Sequence, residues 1–136
     1  MRTRPCTAAV RQGRLRKAEQ FLTAADLVRD LAREHEDVAD AYVTLCVHVG
    51  IAASDVICCA RLGEHAQGEN HNDAVTLLKT VDKVAGRHLS TLLALKTKSA
   101  YSHTPNTPAE FTRAGRAAEA LAEAARRVHA SAGQPA

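Results

Sequence analysis

The sequence predicts an all-α domain, an up-down four-helix bundle with an additional short helix between the second and third long helices. Three observations lead there. Alanine supplies 27 of the 136 residues, and it is the strongest helix former. Apolar residues recur at three- and four-residue steps over most of the chain, the period of a helix with one buried face. Cap signals fall where those stripes begin and end. No β-type alternation of useful length, internal repeat or linker divides the 136 residues, so they read as one domain.

Residues 1–10 read as a flexible tail containing Pro5, residues 11–130 as the bundle and residues 131–136 as a disordered tail. The first helix is expected from about Arg11 to residues 34–36, with Leu15, Ala18, Leu22, Ala25, Val28 and Ala32 in one stripe. Asp37 is the expected N-cap of a second helix, with Asp40 in its first turn. That helix runs to about Leu62 and ends at Gly63. Val38, Tyr42, Leu45, Val49, Ala52, Val56 and Cys59 line one face, and Val43, Val47, Ile51 and Ile57 much of the other. A helix apolar nearly all round is packed on most sides. It is either the central helix or one that faces both its own bundle and a partner subunit.

Loop 64–70 is polar, and Asn70 or Asn72 caps a short helix carrying Ala74, Val75, Leu77, Leu78 and Val81. Gly86 suggests a kink or break. A third long helix with Leu89, Leu92, Leu93, Leu95 and Ala100 should stop near His103, because Pro105 pushes Thr104 out of helical geometry. Thr107-Pro108-Ala109-Glu110 is a capping box with proline at the first helical position. The last helix follows with Phe111, Ala114, Ala118, Leu121, Ala125 and Val128.

Composition limits the function classes. Aromatics are 3%, so Leu, Val, Ile and Ala must fill the core. Such small side chains bury little area each, which makes a homodimer an attractive assembly. A net charge of +3 is too weak to imply nucleic-acid binding alone. Its distribution is uneven. Residues 1–20 hold six Arg/Lys and one Glu, residues 21–40 hold six acids and two Arg, and residues 83–103 hold Lys83, Arg87, Lys96 and Lys98 without an acid. Cys6, Cys46, Cys58 and Cys59 make no CxxC pair and no zinc spacing. Cys58 and Cys59 read as small buried hydrophobes, which suits a reducing cytoplasm. No signal peptide and no run of ~20 apolar residues is read, so no membrane association is expected. No metal site is expected, because His65 and His71 are six apart with no Cys or third His at metal spacing, and no cofactor is expected, because GxxxxGK[ST], GxGxxG and GxSxG motifs are absent.

Chemistry could sit in three places. Asp55 lies within an apolar run, where an acid costs several kcal/mol unless it is paired. It is either paired with an Arg from a neighbouring helix or faces a polar cleft. The stretch from Leu95 to His103 is the most unusual in the chain. At 100° per residue, Lys96 and His103 are about 20° apart on the helical wheel, with Ser99 between them. Lys98 and Tyr101 share another face. A cation, a hydroxyl and an imidazole on one strip could hold a phosphate and move a proton beside it. The competing reading is a solvated helix end with snorkelling lysines. His71, in Gly68-Glu69-Asn70-His71-Asn72-Asp73, is either a ligand or acid/base group, or a local packing and capping residue.

These features together resemble the HEPN superfamily of small helical domains. The residues that carry the resemblance are Ala52-Ala53-Ser54-Asp55-Val56-Ile57 on a long apolar helix, the Gly68-x-x-His71 loop leading to Ala74, Val75, Leu77 and Leu78, and the run Leu89-x-x-Leu92-Leu93-x-Leu95-Lys96-x-Lys98-x-x-Tyr101 before a capped last helix. The resemblance covers roughly residues 11–130. It implies the bundle with its additional short helix, commonly as a dimer. It also implies a metal-independent RNA endonuclease, often a toxin or part of a defence system, or a non-catalytic relative. The family signature is Arg, a spacer of about four to six residues and His, the Arg gripping the scissile phosphate and the His acting on the ribose 2′-hydroxyl. Here Lys96 and Lys98 precede His103 by spacers of six and four residues, and no Arg does. Lysine keeps the charge and loses the bidentate fork. Some non-catalytic relatives carry a Tyr near the His, and Tyr101 fits that variant.

Three functions follow. The favoured one is a dimeric HEPN-like module that binds RNA, a nucleotide or a partner protein, such as an antitoxin or a nucleotidyltransferase-like protein. Lys98, Ser99, Asp55, His71 and Arg87 would serve binding, and the Arg-rich start of the chain could extend the same surface. The second is a metal-independent endoribonuclease with Lys96, His103 and Tyr101 as its catalytic residues. The third is a structural dimerisation domain without a ligand.

Overall fold

The chain begins with an extended segment that is held in place. In the computed structural model, which describes residues 1–68 and 70–132, Thr3–Pro5 forms strand β1 and Glu64–Ala66 forms strand β2. The two pair antiparallel, with Thr3 opposite Ala66, Arg4 opposite His65 and Pro5 opposite Glu64. Cys6 is disulfide-bonded to Cys59 across 53 residues of sequence. The expected flexible tail of residues 1–10 is therefore corrected: residues 3–6 are tied to the far end of the second helix, and helix α1 (Ala8–Leu31) already starts at Ala8. Thr7 caps α1 by accepting a hydrogen bond from the Val10 amide. The reading of Cys59 as a buried thiol is corrected by the same bond, whereas Cys46 and Cys58 are buried and free.

Among the described residues, five α-helices accompany the two-stranded sheet. The others are α2 (Ala39–Leu62), α3 (His71–Lys79), α4 (Lys83–Ala100) and α5 (Pro108–Ala132). Residues 133–136, most of the expected C-terminal tail, lie outside the described residues. Asp37 is not the cap of α2; it closes a short 3₁₀ turn, His35–Asp37, and α2 begins two residues later. Asp40 instead accepts hydrogen bonds from the backbone and side-chain amides of Asn106, both at 2.8 Å, and so anchors the α4–α5 connection. Gly63 ends α2 with φ of 72°, a left-handed conformation that a side chain would strain. Asn70 caps α3 by accepting from the Asn72 amide. The box at the start of α5 is closed both ways: Glu110 N–H donates to Thr107 Oγ1, and Thr107 N–H donates to Glu110 Oε1.

The expected break at Gly86 falls earlier. Asp82 accepts from the Ala85 amide and caps α4 at Lys83, so Gly86 lies within the first turns of that helix. It is buried, and a Cβ there would meet the Lys79 side chain, so its role is the close approach of α3 to α4.

The core is organised around α2, which packs against α1, α4 and α5. Val43, Val49, Ala53 and Val56 are fully buried, and the facing positions are Ala18 and Ala25 of α1, Leu89 and Leu92 of α4, and Ala118, Leu121 and Ala125 of α5. Of the two expectations for α2, the central helix is the one observed. By length and composition α2 could also cross a membrane, contrary to the expectation that no run would, but 67% of its most apolar window is buried inside the chain, as in the core helix of a soluble protein.

Gly50 marks the tightest contact of α2. A Cβ there would lie 2.5 Å from Leu92 Cδ1 and 3.3 Å from Leu121 Cδ1. Gly50→Val is expected to cost about 1–3 kcal/mol through overpacking. Gly13→Ala, in α1 with no atom within 4 Å of the added carbon, is expected to gain roughly 0.5–1 kcal/mol of helix propensity. Urea denaturation of the two variants checks both signs.

Candidate functional site

The carboxylate of Asp55 lies beneath a cleft of about 330 Å³ bordered by α1, α2, both strands, α3 and α4. Its wall includes Arg4, Arg14, Ser54, His65, Gln67 and His71, and its floor includes Ile51, Leu89 and Leu93. The size falls at the small end of ligand-binding cavities.

Asp55 is only 16% exposed, and two elements bring it partners. Arg14 of α1 donates from Nε to Oδ2 at 2.8 Å. His65 of β2 places Nδ1 3.8 Å from Oδ1, while the same nitrogen is 2.9 Å from the Ala66 carbonyl oxygen. Burial pushes the Asp55 carboxyl above the usual carboxylate range, and Arg14 and His65 pull against that rise. Both expectations for Asp55 therefore hold together: it is paired with an Arg from a neighbouring helix and it borders a polar cleft.

Arg4 reaches the cleft from β1. With its amide turned so that both ends are satisfied, Gln67 accepts from Arg4 Nε and Nη2 at 3.1 Å each. Among the described residues Arg4 and Lys96 form no ion pair with a carboxylate, whereas Arg14 is matched by Asp55.

A second, shallower cleft of about 370 Å³ lies between α3 and α4. His71, Asn72, Val75, Lys96 and Tyr101 line it, so His71 borders both clefts. Lys96 Nζ lies 2.6 Å from His71 Nε2. An ammonium can only donate, so Nε2 is the acceptor in this contact.

The strip expected along Lys96, Ser99 and His103 is not formed. Helix α4 ends at Ala100 with Tyr101 as its C-cap, and His103 is exposed beyond it. The cause is local. Tyr101 and Ser102 amides both return to the Thr97 carbonyl, and Asn106 is drawn to Asp40, so the chain turns away before His103. Ser99 Oγ donates to the Lys96 carbonyl within its own helix. Lys98 Nζ donates to Glu110 Oε1 at 2.6 Å and so belongs to the start of α5. Tyr101 is 78% exposed at the rim of the second cleft. Arg87 is exposed on α4 and lines neither cleft.

Residues that periodicity alone passes over complete the site: Arg4, Arg14, His65 and Gln67. Arg14 had a signal, since a buried acid asks for a cation from the adjoining helix. Among the described residues no group of three or more His, Cys, Asp or Glu gathers in metal-binding geometry.

The Arg14–Asp55 pair carries a stability prediction. Arg14→Met leaves a buried acid uncompensated and is expected to cost about 1–3 kcal/mol near neutral pH. Asp55→Leu in the same chain should restore most of it, because both polar partners are then gone. The folded-state carboxyl is raised, so its contribution is complete below the unfolded value and is lost as pH rises through the folded one. Removing Arg14 widens that gap, so the deficit of Arg14→Met should shrink on acidification. A deficit independent of pH, read from urea midpoints, would contradict this.

No family model matches the sequence, and no curated protein matches it.

Proposed function

We propose that this chain is a HEPN-like helical module that binds a phosphate-bearing ligand, RNA or a free nucleotide, without cleaving it. The observation that carries this reading is the convergence of Arg4, Arg14, His65, His71 and Lys96 on two adjoining clefts that share His71. Asp55 answers Arg14, whereas among the described residues Arg4 and Lys96 form no ion pair with a carboxylate. Arginine and lysine around a partly enclosed cleft are the usual means of holding phosphate. Apolar Ile51 and Leu93, both only partly buried, offer a surface for a base or sugar.

The up-down arrangement of the four long helices, the homodimer, the toxin–antitoxin or defence context and the cytoplasmic location belong to the same proposal; the defence context rests on the resemblance, and the others on the sequence pattern. The ribonuclease reading loses its shared helical face, because His103 lies beyond α4.

The test uses two probes, a labelled single-stranded RNA oligonucleotide followed by fluorescence anisotropy and adenosine monophosphate followed by calorimetry. At least one is expected to bind, with affinity that falls as salt is raised. Arg4→Glu and Lys96→Glu should each weaken it by roughly tenfold. Competition between the probes identifies a nucleotide-sized site, and binding of RNA alone identifies the polymer. Intact RNA at the end of the incubation is also expected. Cutting abolished by His103→Ala would reinstate the nuclease, and no affinity for either probe would leave only a protein partner or a purely structural role.

A further inference from the structure

We propose that the Cys6–Cys59 disulfide is a redox latch on the cleft: oxidised, it holds β1 and Arg4 at the cleft wall; reduced by a dithiol, it lets them go. The proposal deepens the anion-binding reading by naming the regulation of that site, and its structural half stands without that reading.

The latch follows from what else holds the segment. Strand β1 has three residues and pairs with a strand of three. Outside the disulfide, the segment is tied by the Cys6 amide to the Gly63 carbonyl, the Gln67 amide to the Arg2 carbonyl, Thr3 Oγ1 to Glu64, and the exposed Arg4 guanidinium to Gln67. None of residues 1–5 is buried. A two-stranded ribbon of this size is not stable by itself. The covalent bond is therefore what keeps β1 on β2, and β1 is what carries Arg4 to the cleft.

The rest of the fold does not need the latch. Helix α1 has its own cap at Thr7, and the core cluster is built from the helices, α1 included, without any of residues 1–6. Reduction should thus free residues 1–6 and leave the bundle folded.

The exchange chemistry is supported at the right sulfur. Cys6 is half-exposed, whereas Cys59 is buried at 5%. A thiolate of the dithiol attacks Cys6 Sγ, forms a mixed disulfide there and expels Cys59 as a thiolate, which takes up a proton. The second thiol of the reductant then attacks the mixed disulfide. It releases Cys6 as a thiolate, which is protonated, and leaves the reductant as its own disulfide, so two electrons pass to the protein. Cys46 and Cys58 stay out of this exchange, because burial pushes each thiol up to about 12. A disulfide that reports on the surrounding reductant is also the form such bonds take in a reducing compartment.

The experiment compares oxidised full-length protein, the same protein reduced with dithiothreitol and alkylated, and Cys6→Ser. Amide hydrogen exchange is followed in all three, and adenosine monophosphate affinity in parallel. Cys6 and Cys59 are expected to resist alkylation until dithiothreitol is added. On reduction, and in Cys6→Ser, protection should be lost at Cys6 and Gln67 and retained through α2. Affinity for adenosine monophosphate should fall by about a factor of ten, recover on reoxidation of the wild type, and not respond to dithiothreitol in Cys6→Ser. Free thiols at Cys6 and Cys59 in the air-oxidised protein, or unchanged exchange on reduction, would overturn the latch. Loosened exchange with unchanged affinity would overturn its control of the site. If adenosine monophosphate binds no form, the anion-binding reading falls for that probe, and exchange alone decides the latch.

Discussion

A carboxylate inside an apolar helix must be compensated, and Asp55 is that carboxylate. Helix α2 is covered by α1, α4 and α5, so its charge cannot simply turn to bulk water. An uncompensated ion at such a depth costs several kcal/mol. Arg14 meets it from α1, and His65 approaches from β2. These contacts fix more than one residue. Arg14 ties α1 to α2 at this level, and the chain after Gly63 returns along the end of α2 with His65 beside Asp55. That return creates the edge on which β1 pairs, and β1 brings Arg4. Asp55 and the arginine that pairs with it thus lie in the lining of the polar cleft.

Legibility in the sequence divides along the range of each interaction. The helices were readable because their signals are local. The Thr107–Glu110 box, Gly63 and Asn70 each act within one turn, and the structure uses all three as caps. The strands were not readable, because three residues give no alternation to detect and the pairing spans some sixty positions of chain. The disulfide was hidden for the same reason: nothing in the spacing says that Cys6 reaches Cys59 and not its neighbour Cys58. Gly86 shows a different ambiguity. A glycine that breaks a helix and one that admits a neighbouring helix look alike until Lys79 is seen beside it.

The site was legible in part. Asp55 and His71 stood out by their chemistry, and both border the cleft. The strip of Lys96 and His103 depended on the helix continuing a few residues beyond its true end, and angular arguments do not survive such an error. Lys96 nonetheless belongs to the polar site, through His71 and not through His103. Lys98 illustrates how a basic residue that looks available is used locally, here to brace Glu110 at the start of α5. Of the Arg-rich start of the chain, Arg14 pairs with Asp55 and Arg11 turns to His129.

The central claim is that Asp55 is a buried acid held by Arg14, and the most direct measurement is its own titration. Carbon-13 NMR of the Asp55 carboxyl across the acid range, in the wild type and in Arg14→Met, reads it without reference to any ligand. The account predicts a midpoint above the usual aspartate range in the wild type and a further rise when Arg14 is removed. An ordinary midpoint that does not respond to the loss of Arg14 would contradict it, for the carboxylate would then be solvated.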